Sequence, residues 1–320
     1  MITLWSGFII LILILLLLDL GVFHRKDEVI SAKEAILWTV FWVILSLIFN
    51  VVIYFAYTHH WMGIGEAAHH VQSGGDAALK YFTGYVIEKS LSLDNILVIA
   101  VIFSYFQVPL KYQHRVLFWG ILGALIMRGV MIMAGTVLIQ RFEWMIYIFG
   151  GFLLLTAVKM LVTKTETIEP DKNILIRIVK KVYPVSSGFD GRHFFTTRDN
   201  VRAVTPLFLV LLIIESTDVL FAVDSIPAIF AVTTDPFIVF TSNVFAILGL
   251  RSLYFALAAM LETFRYLKVS LVFVLAYVGV KMIFSHSFPI PTIVSLCIIG
   301  ALLFVGIMSS IIVKKNVPAK

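Results

Sequence analysis

The sequence predicts an all-α polytopic membrane protein with nine transmembrane helices, in which spans 3–5 and 6–8 form an inverted three-helix repeat. The 320 residues are 60% hydrophobic and 14% charged, with a mean hydropathy of +1.00. A soluble domain has roughly 45–50% apolar and about 25% charged residues. Nine long apolar stretches, and charged residues that recur in matching order within them, are the other two observations behind this prediction.

Each predicted span holds about 20 mainly apolar residues, which is the length needed to cross the hydrocarbon core of a bilayer. The spans are 3–23, 35–57, 81–106, 114–139, 143–162, 205–232, 236–261, 268–286 and 291–313. We expect the first to be retained rather than cleaved, because it lacks a basic segment before its apolar stretch. The prediction is a single membrane domain, 1–320, with 1–57 and 291–313 as peripheral spans.

The loop charges predict the orientation. Alternate loops and the tail carry eighteen Lys and Arg residues, whereas the opposite set carries only Lys80 and Arg141. Basic residues concentrate in cytoplasmic loops, so we expect an external N-terminus, a cytoplasmic C-terminus and a cytoplasmic loop at 163–204. That loop contains a short amphipathic run at 174–182. The basic pI of about 9.3 then reflects orientation and gives no reason to expect a nucleic-acid partner.

Charged residues inside the spans indicate an internal repeat. Ile121-Leu-Gly-Ala-Leu-Ile-Met-Arg128 is similar to Ile247-Leu-Gly-Leu-Arg251, and Ala157-Val-Lys159-Met-Leu161 is similar to Gly279-Val-Lys281-Met-Ile283. We therefore predict a first repeat at 81–162 and a second at 205–286. Each copy has three spans, so the second would cross the membrane upside down. Inverted repeats are typical of secondary transporters, which bind substrate near the midplane.

Two acidic blocks occupy equivalent places in the repeats. A carboxylate at the bilayer centre costs roughly 2.5–3.5 kcal/mol on insertion scales, so such residues are rare and usually functional. Carboxylate, amide and hydroxyl oxygens suit Mg²⁺, Ca²⁺ or Mn²⁺, and neither block contains Cys or His. The candidate metal ligands are Glu88, Asp94 and Asn95 in the first block, and Glu215, Asp218, Asp224 and Ser225 in the second.

Other polar residues in the spans have supporting or structural interpretations. Arg128 and Arg251 would offset acidic charge or gate the site, while Ser92 shares a helix face with Glu88. Asp19 fits a ligand and a structural residue equally well. Asn50 and Asn243 are expected to form interhelical hydrogen bonds, and the alternative for the acids themselves is pairing with Arg and Lys only to hold helices together.

Two further features bear on the site. Pro227 lacks an N–H and predicts a break in span 6 beside Asp224, which would free carbonyl oxygens as extra ligands. The external loop 59–70 contains His59, His60, His69 and His70, which suit either solvated loop histidines or capture of a transition ion.

The acidic blocks, with Thr234-Asp-Pro-Phe-Ile-Val-Phe-Thr-Ser-Asn243-Val-Phe-Ala-Ile-Leu-Gly-Leu-Arg251, resemble the TerC family of integral membrane proteins. The likeness covers nearly the whole chain and is closest to the Alx branch of bacterial inner-membrane proteins. This resemblance implies export of Mn²⁺ across the cytoplasmic (inner) membrane, with the acidic blocks as the ion site. The family name derives from tellurium resistance.

The acidic blocks and the predicted repeat favour a secondary transporter of a hard cation, and the resemblance implies that this cation is Mn²⁺, with protonation of a carboxylate as a route to H⁺ coupling. We expect no permanent cofactor, because Mn²⁺ would be cargo, and no enzymatic activity, because no nucleophile–base pairing occurs. The alternative is a membrane metal sensor or scaffold that acts through the cytoplasmic loop, with purely structural intramembrane acids.

Overall fold

The chain is almost entirely helical. The computed structural model describes residues 2–21, 31–65, 72–162, 173–198, 201–258 and 267–316. The helices in these ranges are α1 (Ile2–Gly21), α2 (Ala32–Thr58), α3 (Gly74–Tyr105), α4 (Leu110–Arg141), α5 (Met145–Val162), α6 (Ile174–Val182), α7 (Pro206–Phe230), α8 (Pro236–Ile247), α9 (Leu250–Ala258), α10 (Leu267–Ile283) and α11 (Thr292–Asn316). The strands β1 (Phe195–Arg198) and β2 (Val201–Val204) form an antiparallel hairpin. The predicted all-helical class is confirmed.

Six helical segments in the described ranges are long and apolar enough to cross a membrane. They are α2, α4, α5, α7, the α8–α9 unit and α11. Many large apolar side chains on them face outward, as in Leu155 of α5, which is 70% exposed. An apolar outer surface of this extent suits lipid and not water, so the protein is an integral membrane protein. The count of nine spans stays a prediction, although each predicted span overlaps a helix.

The helices at the centre form two closely packed pairs. α3 packs along α8 and α4 packs along α7, while α3 also contacts α7. α5 and α10 pack tightly on each other, because a Cβ atom on Gly150 or Gly279 would lie 2.9 Å from the other glycine's carbonyl oxygen. α2 covers α3 and α9, and α11 covers α10.

The predicted seventh span is not one continuous helix. α8 ends at Ile247 and α9 starts at Leu250, with Gly249 between them at φ +79°. Glycine is needed here because other residues avoid this left-handed conformation, and because a Cβ would lie 2.6 Å from the Trp42 ring. The Lys89 ammonium donates to the carbonyl oxygens of Ala246 at 3.1 Å and Leu248 at 3.5 Å, two of the groups freed by the break.

The predicted break beside Asp224 is wrong. α7 continues through Asp224 and Pro227 and ends at Phe230. Pro227 lies within the last turn of the helix, so its missing N–H removes a single hydrogen bond and the helix ends one turn later. A helix interruption does occur in this region of the molecule, but it lies at Gly249, between α8 and α9.

Asp235 fixes the start of α8. Its carboxylate accepts hydrogen bonds from the Phe237 and Ile238 backbone N–H groups, and Pro236 occupies the first helical position. An acidic N-cap satisfies donors that have no partner within the helix. The Tyr57 hydroxyl at the end of α2 donates to the same carboxylate at 2.7 Å, so the cap also joins α2 to α8.

The long polar connection holds more structure than the sequence predicted. The amphipathic run 174–182 is helical, as α6, but the β1–β2 hairpin after it was not anticipated. In the external loop, His59 and His60 lie just after α2, and the His60 ring contacts the Ile64 carbonyl at 3.3 Å. His69 and His70 lie outside the described residues, so capture of a metal by this loop stays a prediction.

Candidate functional site

Arg128 lies at the centre of a charged cluster inside the helix bundle. It projects from α4 and is 1% exposed. Its Nη1 donates to the Glu88 carboxylate of α3, while its Nε and Nη2 donate to the two Asp218 oxygens of α7 at 3.2 and 2.9 Å. The bond to Asp218 is bidentate, which is the strongest geometry open to a guanidinium and a carboxylate. Two of the predicted metal ligands, Glu88 and Asp218, are therefore already paired with a positively charged side chain of the protein.

Amide and hydroxyl groups complete this cluster. Arg128 Nη1 also donates to Asn243 Oδ1 at 3.0 Å and to Ser225 Oγ at 3.4 Å. Asn243 Nδ2 and Ser92 Oγ donate to the Glu88 carboxylate at 3.3 and 3.5 Å. The interhelical role expected for Asn243 is confirmed, and its position shows it to be a central member of the site. Four helices, α3, α4, α7 and α8, meet here.

A cavity of about 260 Å³ adjoins the cluster. Its wall carries three predicted acids, Glu88, Asp94 and Asp224, together with the predicted amide and hydroxyl residues Asn95 and Ser225. Asp224 accepts a hydrogen bond from the Thr156 hydroxyl of α5 at 2.8 Å. Members of both acidic blocks therefore line one space.

The same wall carries three basic side chains, those of Arg128, Lys159 and Lys268. Acidic and basic groups are thus balanced around the cavity. Lys159 was recognised in the sequence only as a repeat marker and Lys268 only as an orientation signal, so their place in the site was missed. Thr156 was missed as well, because a threonine in an apolar helix gives no distinctive signal.

The cavity extends towards one end of the bundle. Its lining includes Val101 near the end of α3, Lys159 near the end of α5 and Lys268 at the start of α10. In the opposite direction the helices are closely packed: a Cβ on Gly84 would lie 2.9 Å from Ser242 Oγ, and residues 225–230 of α7 are buried. The lining residues described therefore lie towards one end of the helix bundle, and the helices are closely packed towards the other end.

The structure does not bring all five acids together. Asp218 lies on the far side of Arg128, where it lines a separate cavity of about 30 Å³ with Asn95 and Arg251. Glu215 packs against α4, where a Cβ on Gly123 would lie 2.0 Å from its Oε1. No group of three Asp, Glu, His or Cys residues suited to a metal occurs in the part of the chain that the structure describes. The assignment of these residues as ligands stays a prediction.

Asn95 is the one predicted ligand that borders both cavities. It is 5% exposed, and its Oδ1 accepts no hydrogen bond from the described residues. A buried amide oxygen without a donor loses about 1–3 kcal/mol of hydration. Such an oxygen is suited to a cation or a water molecule in the cavity.

The supporting residues Asp19 and Arg251 form a separate ion pair. Arg251 of α9, 2% exposed, donates to Asp19 Oδ1 at 2.8 Å and to the Asp19 carbonyl oxygen at 3.0 Å. This pair joins α1 to α9. It does not line the larger cavity, so the geometry gives Asp19 a structural role in this conformation.

Comparison with protein families identifies the family of the chain. Residues 73–317 match the family model described as the integral membrane protein TerC family. The chain belongs to the TerC family. It is 48% identical over 315 residues to an uncharacterized membrane protein of Myxococcus xanthus, covering 98% of this chain and 94% of that protein.

Relatives on the Alx branch are also found. The chain is 43% identical over 306 residues to a protein of Escherichia coli K12 called Alx, with coverage of 94% of this chain and 91% of that protein. It is 42% identical over 306 residues to Alx of Salmonella typhi, covering 95% and 92%. Both are described as proposed membrane-bound redox modulators. The resemblance read from the sequence is confirmed, and no solved structure matches the chain.

Proposed function

We propose that the protein is a secondary transporter that exports Mn²⁺ across the bacterial cytoplasmic membrane. The observation that carries this proposal is the cavity of about 260 Å³ among membrane helices, with Glu88, Asp94 and Asp224 in its wall. Carboxylates within the membrane-spanning segments of a protein mark ion pathways. Together with Asn95 and Ser225 they provide the hard oxygen donors that Mn²⁺ accepts.

Antiparallel packing of equivalent helices supports the inverted repeat. Gly150 and Leu154 of α5 lie against Ile283 and Gly279 of α10, respectively. On α4 and α8, Gly129 lies against Phe240. α3 and α7 meet where Gly84, in the first part of α3, contacts Ile229, near the end of α7. Such packing is what two oppositely oriented three-helix units would produce.

The side on which the cavity lies gives the ion the cytoplasmic access that export requires. The cavity lining extends towards the end of the bundle where α3 and α5 end and α10 begins, and the excess of basic residues in the loops at that end indicates the cytoplasm. The proposed orientation has the N-terminus outside and the C-terminus inside. A cytoplasmic Mn²⁺ ion would reach Asp94 and Asp224 first, with the path to the outside closed beyond Glu88.

Passage of the metal ion beyond Asp94 and Asp224 depends on Arg128. Because its guanidinium already binds Glu88 and Asp218, an arriving cation can use these oxygens only if Arg128 moves away. The protein would then alternate between an Arg128-bound and a metal-bound arrangement of the same oxygens. A proton taken up by one of these carboxylates as Mn²⁺ leaves would couple efflux to inward H⁺ movement.

The metal identity rests on the family, since oxygen donors do not distinguish among hard cations. The name of the Alx relatives suggests redox chemistry instead. This chain has a single cysteine, Cys297, so a dithiol–disulfide cycle within one chain has no second thiol. The cavity therefore gives more support to transport than to thiol redox chemistry.

Metal content of cells tests this proposal. Cells that lack their own Mn²⁺ exporters and express the parent protein are expected to hold less Mn²⁺ than cells expressing Asp94→Asn or Asp224→Asn. The matched control is Asp76→Asn, because Asp76 is an aspartate of the same helix α3 but is 43% exposed and pairs with Lys80. A sensor or scaffold that acts through residues 163–204 would instead lose function on changes in that loop and tolerate both cavity substitutions.

A further inference from the structure

α6 has three chemically distinct faces. With about 100° between successive residues, Ile174, Ile178 and Val182 fall within an arc of about 80°. Ile176 and Val179 lie on a second face, and Arg177, Lys180 and Lys181 lie on a third. The helix contains no acidic residue. Its faces are therefore apolar, apolar and basic, with their centres roughly a third of a turn apart.

Of the two apolar faces, the residues that the structure describes cover only one. Ile176 is 1% exposed and belongs to the core cluster that includes Leu207 and Val210 of α7. On the other face Ile174 is 67%, Ile178 52% and Val182 65% exposed. Burial against α7 explains the first face but leaves four large aliphatic side chains, these three and the adjoining Leu175, which is 39% exposed, that need a different apolar environment.

The position of α6 indicates what this environment is. Leu207 and Val210 belong to the first turns of α7, so α6 lies beside the end of a membrane helix and not near its middle. The next residue after α6, Tyr183, is 42% exposed, and tyrosine is enriched where membrane helices meet the headgroups. The uncovered face is therefore at the level of the membrane interface.

The basic face complements one class of lipid. Arg177, Lys180 and Lys181 are exposed, and Arg177 lies between the two lysines around the helix axis. A helix that lies in the interface buries its apolar face at the acyl boundary and presents basic residues to headgroups, which favours anionic lipids. The three faces thus match three surroundings: protein, acyl chains and anionic headgroups.

We propose that α6 is an interfacial helix that binds anionic phospholipids, with Ile174, Ile178 and Val182 inserted at the acyl boundary and Arg177, Lys180 and Lys181 on the lipid phosphates. The site is separate from the cavity, and the proposal holds whatever ion the protein carries. It anchors the connection between α5 and α7 to the membrane surface.

Depth-dependent quenching tests the insertion. Cys297, the only cysteine, is replaced by serine, and Ile178→Cys or Lys181→Cys is labelled with a bimane in full-length protein in vesicles. A nitroxide on the upper part of a lipid acyl chain should quench the label at 178 and iodide should barely reach it, with the reverse order at 181. Equal quenching by iodide at both positions, or exclusion of both quenchers by a second copy of the chain, would overturn the proposal. Val182→Cys replaces the first probe if Ile178→Cys does not fold.

Lipid selectivity tests the basic face in the same preparation. Vesicles contain phosphatidylcholine and phosphatidylglycerol, and the nitroxide is placed on one or the other at equal mole fraction. The label at 178 should be quenched about twofold or more strongly by the anionic nitroxide lipid, and this preference should vanish near 1 M salt, where the Debye length is about 3 Å.

The control variant removes the same number of positive charges from other parts of the protein. R177Q/K181Q should lose the preference for phosphatidylglycerol, whereas K33Q/R141Q, which removes two exposed basic residues elsewhere, should retain it. No preference in the parent, or an equal loss in both double variants, would contradict binding of anionic lipid at α6.

Discussion

Replacement of Arg128 is the perturbation with the largest effect that the structure predicts. In Arg128→Met, Glu88, which is completely buried, and Asp218, whose side chain is 14% exposed, lose their shared countercharge. Removing one partner of a buried ion pair costs about 3–5 kcal/mol. We therefore expect the unfolding equilibrium to shift about a hundredfold to several thousandfold towards the unfolded state.

The measurement is equilibrium unfolding of the purified protein in detergent, compared with two other variants. Arg141→Met removes an exposed arginine at the end of α4 and should change the free energy of unfolding by less than about 0.5 kcal/mol. The triple variant E88Q/R128M/D218N removes all three charges. It should be more stable than R128M alone, because no carboxylate is left buried without a cation.

Added Mn²⁺ separates an ion site from a purely structural ion pair. If Mn²⁺ replaces the missing guanidinium, it should stabilise R128M by about 2.7 kcal/mol when its concentration is a hundred times its dissociation constant. The triple variant should respond far less. A loss in R128M no greater than that in R141M would refute the energetic reasoning. A Mn²⁺ response that is equal in R128M and the triple variant would refute the shared use of these oxygens.

Two further predictions concern the fold around the site. Gly249→Ala should destabilise the protein by about 2–4 kcal/mol, because alanine disfavours the left-handed backbone and its Cβ would clash with Trp42. Gly151→Ala is the control: it has open space around it and should be neutral or stabilising in the same unfolding assay. Equal effects of the two substitutions would contradict the steric argument. Tyr57→Phe removes the 2.7 Å bond to Asp235 and should cost about 1.5–3 kcal/mol, whereas an unchanged unfolding midpoint would show that the cap does not need it.

The sequence predicted the helical class well because hydropathy reports directly on membrane insertion. It also singled out Glu88, Asp94, Asp218 and Asp224, since ionisable residues in apolar segments are conspicuous. What it did not predict is which oxygens Arg128 occupies, because ion pairs between helices depend on rotamers and helix rotation that spacing alone does not fix.

The errors about helix breaks have a similar origin. Pro227 is the strongest local signal for interruption, yet α7 tolerates it near the C-terminus of the helix. The actual break at Gly249 depends on Trp42 packing against the glycine and on Lys89 donating to nearby carbonyls. Both partners are far away in sequence, so a glycine in an apolar helix gave no sign of its role.

Mn²⁺ flux into sealed vesicles tests the central claim most directly. Purified protein is reconstituted into liposomes that contain a Mn²⁺-quenched dye, and external Mn²⁺ is added. We predict rapid quenching with the parent and Asp76→Asn, and a rate at least about tenfold lower with Asp94→Asn or Asp224→Asn, since each loses a carboxylate charge from the cavity wall. Quenching by both cavity variants at the parental rate, or no quenching by the parent above protein-free liposomes, would contradict transport of Mn²⁺ through this cavity.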